Sequence, residues 1–421
     1  MNYIIIGNSA AAVGGVEGIR QIDKEGSITI ISEEPYCTYS RPLISYFLAG
    51  ALNEDKMLYR DTDFYKTNGV NLLLGTKALS VDTENNWVTL AGGETIGYDK
   101  LLIATGGKPF MPPMIGSDKK GVYTFIKRDD AERLKAIAKP GSKAVVIGGG
   151  LIGLKAAEGL VKCGVDVTVI ELANRILSTI LDDQAAAIVQ GVLEEHDIKV
   201  ILNNTVSEAL GSDKVTGVLL KDGTQIACDM VVTAIGVRPN TDIVCGTVIN
   251  VNRGIVVDGH MRTNIDNIYA AGDVAEAYDI VYEDMRVTPI WPNAYMQGEV
   301  AGRNMAGDSA IFDAGFARNS ISFFGLPMIT AGIIKPIGAE YEVLSMTIPD
   351  KKIYKKAVIK DNKLVGFIRL TDIDRAGILT GLIKNKADVS AFKDKLLNDD
   401  FGFVYMPKKQ RKEKLLGVKR I

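Results

Sequence analysis

The chain has 421 residues, of which 47% are hydrophobic and 24% charged, and its formal net charge is −2. This length accommodates two or three globular domains, and so small a charge gives no electrostatic signature of a nucleic-acid-binding protein. No uninterrupted apolar run reaches the roughly 18 residues that a membrane span needs. The four cysteines form no Cys-x-x-Cys pair, and there are two histidines. Cysteine and histidine usage therefore argues against a protein-borne metal centre and favours a cytoplasmic protein with reduced thiols.

The first predicted unit is a strand, a tight turn and a helix at the start of the chain. An apolar run leads into Gly7-x-Ser9-x-x-Ala12, and a strand at 27–32 follows the helix. In a dinucleotide-binding turn the first glycine allows the sharp bend, the second position must be small so that the backbone can approach a pyrophosphate, and the third allows close packing. Serine at the second position leaves somewhat less room than glycine. The predicted contacts of this turn are Gly7, Ser9, Ala10 and Ala12.

The same design recurs near residue 145, where VVIGGGLIGLKAA reads as a strand, a glycine turn and a helix. The next strand ends in Glu171, 18 residues after the last glycine. A carboxylate at that place accepts hydrogen bonds from a ribose hydroxyl. One such turn is weak evidence, since a glycine-rich turn can bind nothing, but two complete units in one chain predict two dinucleotide-binding folds. The predicted contacts of this second turn are Gly148, Gly150, Ile152, Gly153 and Glu171.

Three later segments have the character of strands that end in small residues. The first spans 98–107, the second spans 229–240, and the third, at 267–274, delivers an aspartate directly after a glycine. A segment containing Trp-Pro then leads into a helix predicted at 295–304. The residues that we single out here as cofactor contacts are Thr105, Gly106, Gly236, Gly272, Asp273, Trp291 and Pro292. Trp291 fits either a cofactor-lining role or ordinary packing.

Two dinucleotide folds, two strand-to-glycine crossings and the run Ala271-Gly272-Asp273 resemble the two-dinucleotide-binding-domain flavoproteins, the FAD- and NAD(P)-dependent pyridine nucleotide oxidoreductases. The resemblance implies an α/β fold with two Rossmann-like domains, for FAD and NAD, and a smaller α+β C-terminal domain. The implied divisions are an FAD-binding domain at 1–110 and 236–310, an NAD(P)H-binding domain at 111–235, a C-terminal interface domain at 311–395 and a basic tail at 396–421.

The resemblance also implies roles for individual residues. Glu33 or Glu34 would hold the adenosine ribose of FAD, and Asp273 would bond the ribityl chain and help to seat the flavin. The segment Tyr39-Ser40-Arg41-Pro42 with a following serine is similar to NADH:rubredoxin reductases, to the flavoprotein module of nitrite reductases and to ferredoxin reductases. We therefore expect Arg41 and Pro42 to lie at the flavin.

The implied activity is FAD-dependent electron transfer between NADH and an iron or iron–sulfur protein. The partner would be rubredoxin, a ferredoxin or the iron–sulfur subunit of a larger enzyme such as an aldehyde oxidoreductase. One alternative is an NADH oxidase or coenzyme A disulfide reductase that uses Cys37. A second alternative is a non-catalytic, redox-sensing or partner-binding flavoprotein subunit. We interpret Cys37 as a loop cysteine because the sequence offers it no partner thiol or base.

Lys155 stands two residues after the last glycine of the second turn. In many relatives of the resembled family this position is glutamate, paired beside flavin N5 with a lysine at the position that is Tyr46 here. The resemblance thus implies a relocated charge, with Lys155 approaching the flavin or the nicotinamide, where a cation would favour an anionic reduced flavin. The alternative is an ordinary solvated lysine whose charge opposes the helix dipole. Lys155 and Tyr46 are the candidate catalytic residues.

Two further features bear on cofactor and partner. Glu171 repels a 2′-phosphate and so favours NADH over NADPH, although Arg175 could still serve a 2′-phosphate. The final segment, 406–421, is dense in positive charge and fits either a docking arm for an acidic partner or a solvated tail. A homodimer and membership of a larger redox complex are both compatible with the sequence.

Overall fold

The structure is a computed structural model that describes residues 1–111 and 113–415, with side chains as far as residue 412. Its first 110 residues build most of a parallel sheet and a small antiparallel sheet. The elements are β1 (Asn2–Ile6), α1 (Ala10–Ile22), β2 (Ser27–Ile31), α2 (Ile44–Leu48), α3 (Phe64–Thr67), β3 (Val70–Leu73), β4 (Ala78–Asp82), β5 (Trp87–Leu90), β6 (Thr95–Gly97), β7 (Lys100–Ile103) and β8 (Gly107–Pro109).

Strand β1 lies in the middle of the first parallel sheet, between β2 and β7. Its apolar run is buried on both faces, and Ile4 and Ile5 are completely inaccessible to solvent. Continuous apolar strands of this kind suit a parallel sheet whose two faces are both covered.

Residues 113–235 form a second parallel sheet and another three-stranded antiparallel sheet. The elements are β9 (Val122–Thr124), α4 (Arg128–Ile137), β10 (Lys143–Ile147), α5 (Leu151–Lys162), β11 (Asp166–Ile170), α6 (Asp183–Glu194), β12 (Lys199–Ile201), β13 (Val206–Leu210), β14 (Gly217–Leu220), β15 (Gln225–Ala227) and β16 (Met230–Thr233). The parallel order is β12-β11-β10-β16-β9. Strand β10 therefore holds in this sheet the central place that β1 holds in the first.

The chain then returns to the first sheet. The elements are β17 (Val237–Pro239), β18 (Ile255–Val256), β19 (Ile268–Ala270), β20 (Ala275–Asp279), β21 (Asp284–Arg286) and α7 (Trp291–Met305). Strand β19 pairs in parallel with β7, and α7 packs directly on α1. The helices touch through glycines: a Cβ placed on Gly298 would lie 2.0 Å from the Ala11 carbonyl oxygen.

Two antiparallel strands, β8 and β17, carry the chain out of the first sheet region and back into it. The Phe110 N–H donates to the Gly236 carbonyl at 3.0 Å, and the Asn240 N–H donates to the Gly106 carbonyl at 2.8 Å. The two crossings that the sequence predicts separately therefore form one ribbon.

The C-terminal part is an antiparallel sheet with order β22-β23-β26-β25-β24 and two helices. The elements are β22 (Arg318–Phe323), β23 (Leu326–Gly332), β24 (Tyr341–Ile348), β25 (Ile353–Lys360), β26 (Lys363–Leu370), α8 (Ala376–Lys384) and α9 (Lys408–Leu415). The segment between α8 and α9 buries Phe392, Leu396 and Phe401 in the same core as α8.

The predicted fold class is confirmed: two mostly parallel α/β units are joined to a smaller α+β unit. Helix α7 begins four residues earlier than the sequence pattern predicts, because Pro292 lies in the first turn, where the missing N–H costs nothing. In the described part of the chain, no helix is long and apolar enough to cross a membrane. The last predicted tail residues, 416–421, lie outside the described residues.

Candidate functional site

The first glycine turn joins β1 to α1. Gly7 has a φ of +113°, and a Cβ there would lie 2.1 Å from the Ala104 carbonyl oxygen, so only glycine fits. Ser9 is the N-cap of α1 but makes no side-chain capping bond. Ala10 and Ala12 follow as buried residues of the first helical turn. The backbone N–H groups at this helix start are therefore available to an anion such as a pyrophosphate.

The two carboxylates after β2 have different surroundings. The Tyr39 hydroxyl donates to Glu34 Oε2 at 2.6 Å, and Arg41 forms an ion pair with Glu34 Oε1. Glu33 is half-exposed, and its ion pairs with Lys77 and Lys127 are longer, at 3.5 and 3.6 Å. Glu34 thus orients Arg41, and the geometry favours Glu33 as the carboxylate that is open to a ribose.

Asp273 and Arg41 come from distant parts of the chain and interact electrostatically. Gly272, with φ of +81°, turns the chain just before Asp273, and its N–H donates to Gln297 Oε1 at 2.8 Å. Burial raises the pKa of the Asp273 carboxyl, and the charge of Arg41 offsets only part of that effect. Among the described residues, none donates a hydrogen bond to the Asp273 carboxylate. Its oxygens are therefore free to bind a polar ligand.

The start of α7 closes this region. Trp291 meets the Tyr59 ring edge-on at 4.9 Å between centroids, and Pro292 follows as an exposed residue. Asn293 is 1% exposed and donates to the Phe316 carbonyl at 3.3 Å. Neither Tyr59 nor Asn293 was predicted from the sequence, since a lone aromatic and a lone amide carry no local motif.

Three buried side-chain oxygens have no protein partner within the described chain: Thr38 Oγ1 and Asn293 Oδ1, and Ser45 Oγ, which lies on α2 beside α5. Thr38 is tied to the first turn, because its N–H donates to the Tyr65 hydroxyl, which in turn donates to Asn8 Oδ1. Buried polar atoms normally have partners, so three orphaned ones indicate a polar ligand. Together with the open first turn and Asp273, they fit FAD.

Thr105, Gly106 and Gly236 lie at the ribbon that joins the two parallel sheets. The Thr105 hydroxyl donates to the Asn240 carbonyl at 2.7 Å, which fixes the crossing. A Cβ added at Gly106 or Gly236 would meet no atom within 4 Å. Both glycines therefore border open space, and their contact with a cofactor stays a prediction.

The second glycine turn joins β10 to α5 and has the full pattern. A Cβ on Gly153 would lie 2.0 Å from the Gly148 carbonyl oxygen, whereas a Cβ on Gly150 would meet nothing within 4 Å. Gly150 is the N-cap of α5 and provides no side-chain cap. Ile152, in the first turn, is partly buried against the core. The open space above Gly150 suits a pyrophosphate on the helix N-terminus.

Glu171 is fixed beside that turn. Its Oε2 accepts a hydrogen bond from the Gly149 N–H at 2.6 Å, and its Oε1 accepts one from the Ala173 N–H at 2.7 Å. Arg175 is mostly buried and pairs with Asp183 at 2.7 Å. The cation that the sequence offers to a 2′-phosphate is therefore engaged, and the carboxylate remains beside the turn, which together favour NADH.

Lys155 and Tyr46 are in contact, with the ammonium 4.5 Å from the ring centroid. Lys155 is 8% exposed, so it is not a solvated lysine. Its Nζ lies 2.5 Å from Glu158 Oε2 and donates to the Ser322 carbonyl at 3.3 Å. Helices α2 and α5 and strand β22 thus meet at this ammonium. An approach to flavin N5 stays a prediction.

Glu158 is the residue at this junction that sequence reasoning missed. Besides Lys155, it accepts hydrogen bonds from Lys162 at 2.7 Å and from the Phe324 N–H at 3.3 Å. Burial opposes ionisation of Glu158, but the hydrogen bonds from the two lysines outweigh it and lower the pKa. The spacing of Glu158 from the lysines, i−3 and i+4 on one helix, is a signal that could have found it.

All four cysteines are free. Cys37 is partly buried and packs against the core of the first sheet. Cys163 is half-buried, with its Sγ 3.2 Å from the Leu48 carbonyl oxygen, and burial raises the pKa of its thiol. In the described chain, no three or more His, Cys, Asp or Glu residues are grouped to hold a metal ion.

The structure thus has two nucleotide cradles, the first at the Gly7 turn and the second at the Gly148 turn. They are joined by the β8–β17 ribbon, and a separate antiparallel unit packs on them. This arrangement defines a dinucleotide-dependent flavoprotein. Residues 1–298 match the family model for pyridine nucleotide-disulphide oxidoreductases, and residues 318–387 match the rubredoxin NAD+ reductase C-terminal domain. The chain belongs to the pyridine nucleotide-disulphide oxidoreductase family. This confirms the predicted family and its cofactors, FAD and a nicotinamide dinucleotide.

Proteins of different names and lengths are similar to this chain. The NAD(P)H nitrite reductase of Bacillus subtilis is 36% identical over 92% of this chain and 48% of its own, so this chain spans about half of that relative. The NADH-dependent phenylglyoxylate dehydrogenase subunit epsilon of Aromatoleum evansii is 31% identical over 94% of both chains. The crystal structure of NADH:rubredoxin oxidoreductase from Clostridium acetobutylicum superimposes with a TM-score of 0.77, at 28% identity, over 94% of this chain and 99% of that chain.

Proposed function

We propose that this protein passes electrons between NADH and an iron or iron–sulfur protein, with FAD as the intermediate carrier. The acceptor class is rubredoxin, a ferredoxin or an iron–sulfur subunit of a larger complex such as an aldehyde oxidoreductase. The direction depends on the partner's potential, so a reduced partner could also produce NADH. The observation that carries the proposal is the junction at Lys155, where helices from both cradles meet the unit that matches the rubredoxin reductase C-terminal domain.

We further propose a division of labour along the chain. Residues 1–110 and 236–310 bind FAD, 111–235 bind NADH, and 311–395 form an interface unit. The support is that β19, from the later segment, completes the first sheet beside β7. Free thiols in all four cysteines suit a cytoplasmic protein.

The chain's own residues bind and orient. In this proposal the N–H groups of the two helix starts bind the pyrophosphates, Glu33 and Glu171 bind the riboses, and Asp273 with Arg41 seats the flavin. When bound, FAD supplies the conversion between two-electron and one-electron chemistry that NADH and an iron partner require.

A basic surface supports the proposed acidic partner. Lys408, Lys409 and Lys412 of α9 are exposed, and none has an acidic partner among the residues that the structure describes. Small iron–sulfur proteins with acidic surfaces would be attracted to such a helix, and the attraction would weaken with salt.

The proposal is tested by comparing acceptors under identical conditions. The FAD-loaded protein is assayed with NADH and either ferricyanide, rubredoxin or an acidic ferredoxin. We expect turnover with at least one protein acceptor, and we expect it to fall at high salt while ferricyanide reduction does not. A triple variant with glutamate at 408, 409 and 412 should lose only protein-acceptor activity. The matched control places glutamate at Lys139, Lys199 and Lys221, three other exposed lysines, and should behave like the unaltered protein.

The Cys37→Ser variant separates the thiol-based alternative. Full activity with the protein acceptor is expected, because electron transfer through FAD needs no thiol. Loss of activity would favour an NADH oxidase or coenzyme A disulfide reductase. Slow turnover with every acceptor, alongside tight binding of a partner, would favour the non-catalytic alternative.

A further inference from the structure

Asp182 connects the second nucleotide cradle to the C-terminal sheet. It is the N-cap of α6, where its Oδ1 accepts from the Ala185 N–H at 3.1 Å. Its Oδ2 accepts hydrogen bonds from the Tyr354 hydroxyl at 2.6 Å and from the Lys356 ammonium at 2.8 Å. Tyr354 and Lys356 are two residues apart on β25, so both side chains project from one face of the sheet.

This three-residue contact is largely buried, with the Asp182 side chain 19% exposed. Tyr354 is 2% exposed and Lys356 is 7% exposed. Burial opposes ionisation of Asp182, but the hydrogen bonds from Lys356 and Tyr354 outweigh it and hold the pKa of the carboxyl below its ordinary value. A charged pair in such a setting is strongly destabilised when one partner is removed, because the other charge remains buried. The contact therefore fixes its two elements firmly.

A short, folded segment leads from Asp182 back to the glycine turn. The Leu181 N–H donates to the Leu177 carbonyl at 2.9 Å, and the Leu177 N–H donates to the Gly149 carbonyl at 2.8 Å. Gly149 in turn donates its own N–H to Glu171 at 2.6 Å. An unbroken series of contacts thus joins the C-terminal sheet to the turn and to the predicted ribose carboxylate.

Two details indicate that this segment depends on outside support. Leu177 is 1% exposed and has a φ of +49°, a conformation that costs energy in a residue other than glycine. Lys335, which follows β23 in the C-terminal unit, donates to the Ser178 carbonyl next to it. The C-terminal unit therefore contacts the backbone directly after the strained residue.

We propose that Lys356 and Tyr354 are positioning residues for NADH, which hold Asp182 so that the 171–182 segment keeps the second glycine turn in its binding geometry. The C-terminal unit thereby sets the affinity for NADH. This inference rests on the proposed binding of NADH at that turn. It assigns the C-terminal sheet a task in cofactor binding in addition to any task in partner docking.

The expected size follows from a population argument. If the binding geometry is nearly fully populated in the unaltered protein and falls to about 0.1–0.3 without the contact, the apparent dissociation constant rises about three- to tenfold. The flavin cradle lies on other elements, so FAD content is expected to stay constant.

The test uses ADP-ribose as the probe, because it occupies the adenosine and pyrophosphate positions without reducing the flavin. Calorimetry on the FAD-loaded Lys356→Met protein should give a three- to tenfold weaker ADP-ribose affinity. FAD content should be unchanged, the KM for NADH should rise by the same factor, and kcat with ferricyanide should stay within about twofold. Lys356→Arg should restore most of the affinity. The matched control is Lys352→Met, which removes the half-exposed Lys352–Glu195 pair between the same units and should leave the affinity unchanged.

Three outcomes would overturn the inference. Unchanged ADP-ribose affinity in a folded Lys356→Met protein overturns the inference. If that variant does not fold, Tyr354→Phe, which removes one hydroxyl, should weaken ADP-ribose binding about two- to threefold, and unchanged binding there overturns the inference equally. If the unaltered protein does not bind ADP-ribose at all, the proposed NADH site itself fails, and this inference fails with it.

Discussion

The two glycine turns share one design but differ in what surrounds them. The first turn, at Gly7, packs against Ala104 and leads into α1, which packs on α7, and Arg41 and Asp273, from distant segments, interact near it. The second turn, at Gly148, is open above Gly150, and its support comes from one neighbouring segment and the C-terminal sheet. In the proposed function, the first turn holds a cofactor that stays bound and the second turn one that exchanges in every cycle.

The largest expected effect is at the first glycine turn. Gly7→Ala forces a Cβ to within 2.1 Å of a backbone oxygen at a φ of +113°. We expect a loss of more than about 3 kcal/mol of unfolding free energy and loss of bound FAD, since the backbone cannot yield on either side. Denaturant unfolding and flavin absorbance measure both. Retention of FAD with normal stability would contradict the close packing of Gly7 against Ala104.

The next largest effect is expected at Lys155, where α2, α5 and β22 meet. Lys155→Met leaves Glu158 buried with one lysine instead of two, and we expect a loss of about 1–3 kcal/mol in denaturant unfolding. The matched variant Lys162→Met removes a partner that is 41% exposed and should cost less than about 0.5 kcal/mol. Potentiometry on both variants also addresses the relocated-charge hypothesis. A shifted flavin potential in Lys155→Met alone supports it, and an unchanged potential and flavin-reduction rate count against it.

A substitution in the second glycine turn should weaken NADH binding without lowering stability. Gly150→Ala adds a methyl group where no protein atom lies within 4 Å, so the fold has room for it, but the pyrophosphate does not. We expect the KM for NADH to rise about tenfold or more, equivalent to about 1.4 kcal/mol, with unchanged unfolding and FAD content. An unchanged KM would mean that the pyrophosphate does not approach this position.

A smaller effect is expected on the choice of cofactor. Glu171→Ala removes the carboxylate beside the second turn and the charge that would repel a 2′-phosphate. The preference for NADH over NADPH, as a ratio of kcat/KM values, should fall about five- to tenfold, with most of the change in KM. Glu33→Ala is the counterpart at the first cradle and should leave that ratio unaltered. Equal preference in the Glu171 variant and the unaltered protein would contradict the assignment.

The smallest effect concerns acid stability. The pKa of Asp182 is lowered in the folded state from an ordinary value of 3.8, so its contribution is complete above that value and is lost as pH falls through the folded pKa. Unfolding free energy should therefore decline below about pH 4, and Lys356→Met should flatten that decline. Denaturant unfolding of both proteins between about pH 5 and 2.5 measures it. Parallel pH profiles would contradict the Lys356–Asp182 pair.

The sequence predicted the parts of the fold and site that local chemistry determines. Both glycine turns and the strand that leads to Asp273 depend on a few neighbouring residues, so their patterns could be recognised in the sequence. The contacts that the sequence could not predict join distant segments. Lys356 meets Asp182 across 174 positions, and Ser322 meets Lys155 across 167.

Where two readings were open, tertiary packing decided between them. Glu33 and Glu34 are identical in sequence terms, but only Glu34 is within reach of Tyr39 and Arg41. Lys155 has the pattern of a surface lysine, yet β22 covers it and Glu158 neutralises it. Periodicity cannot place β22 next to Lys155, and it cannot say which of two adjacent carboxylates the loop residues Tyr39 and Arg41 will reach.

The central claim, that FAD is the only redox centre between NADH and an iron partner, is tested most directly by an anaerobic NADH titration of the purified yellow protein, followed by absorbance. The account predicts that one equivalent of NADH bleaches the flavin and that no thiolate-to-flavin charge-transfer band appears. Consumption of two equivalents together with such a band would contradict it, because a cysteine would then share the electrons.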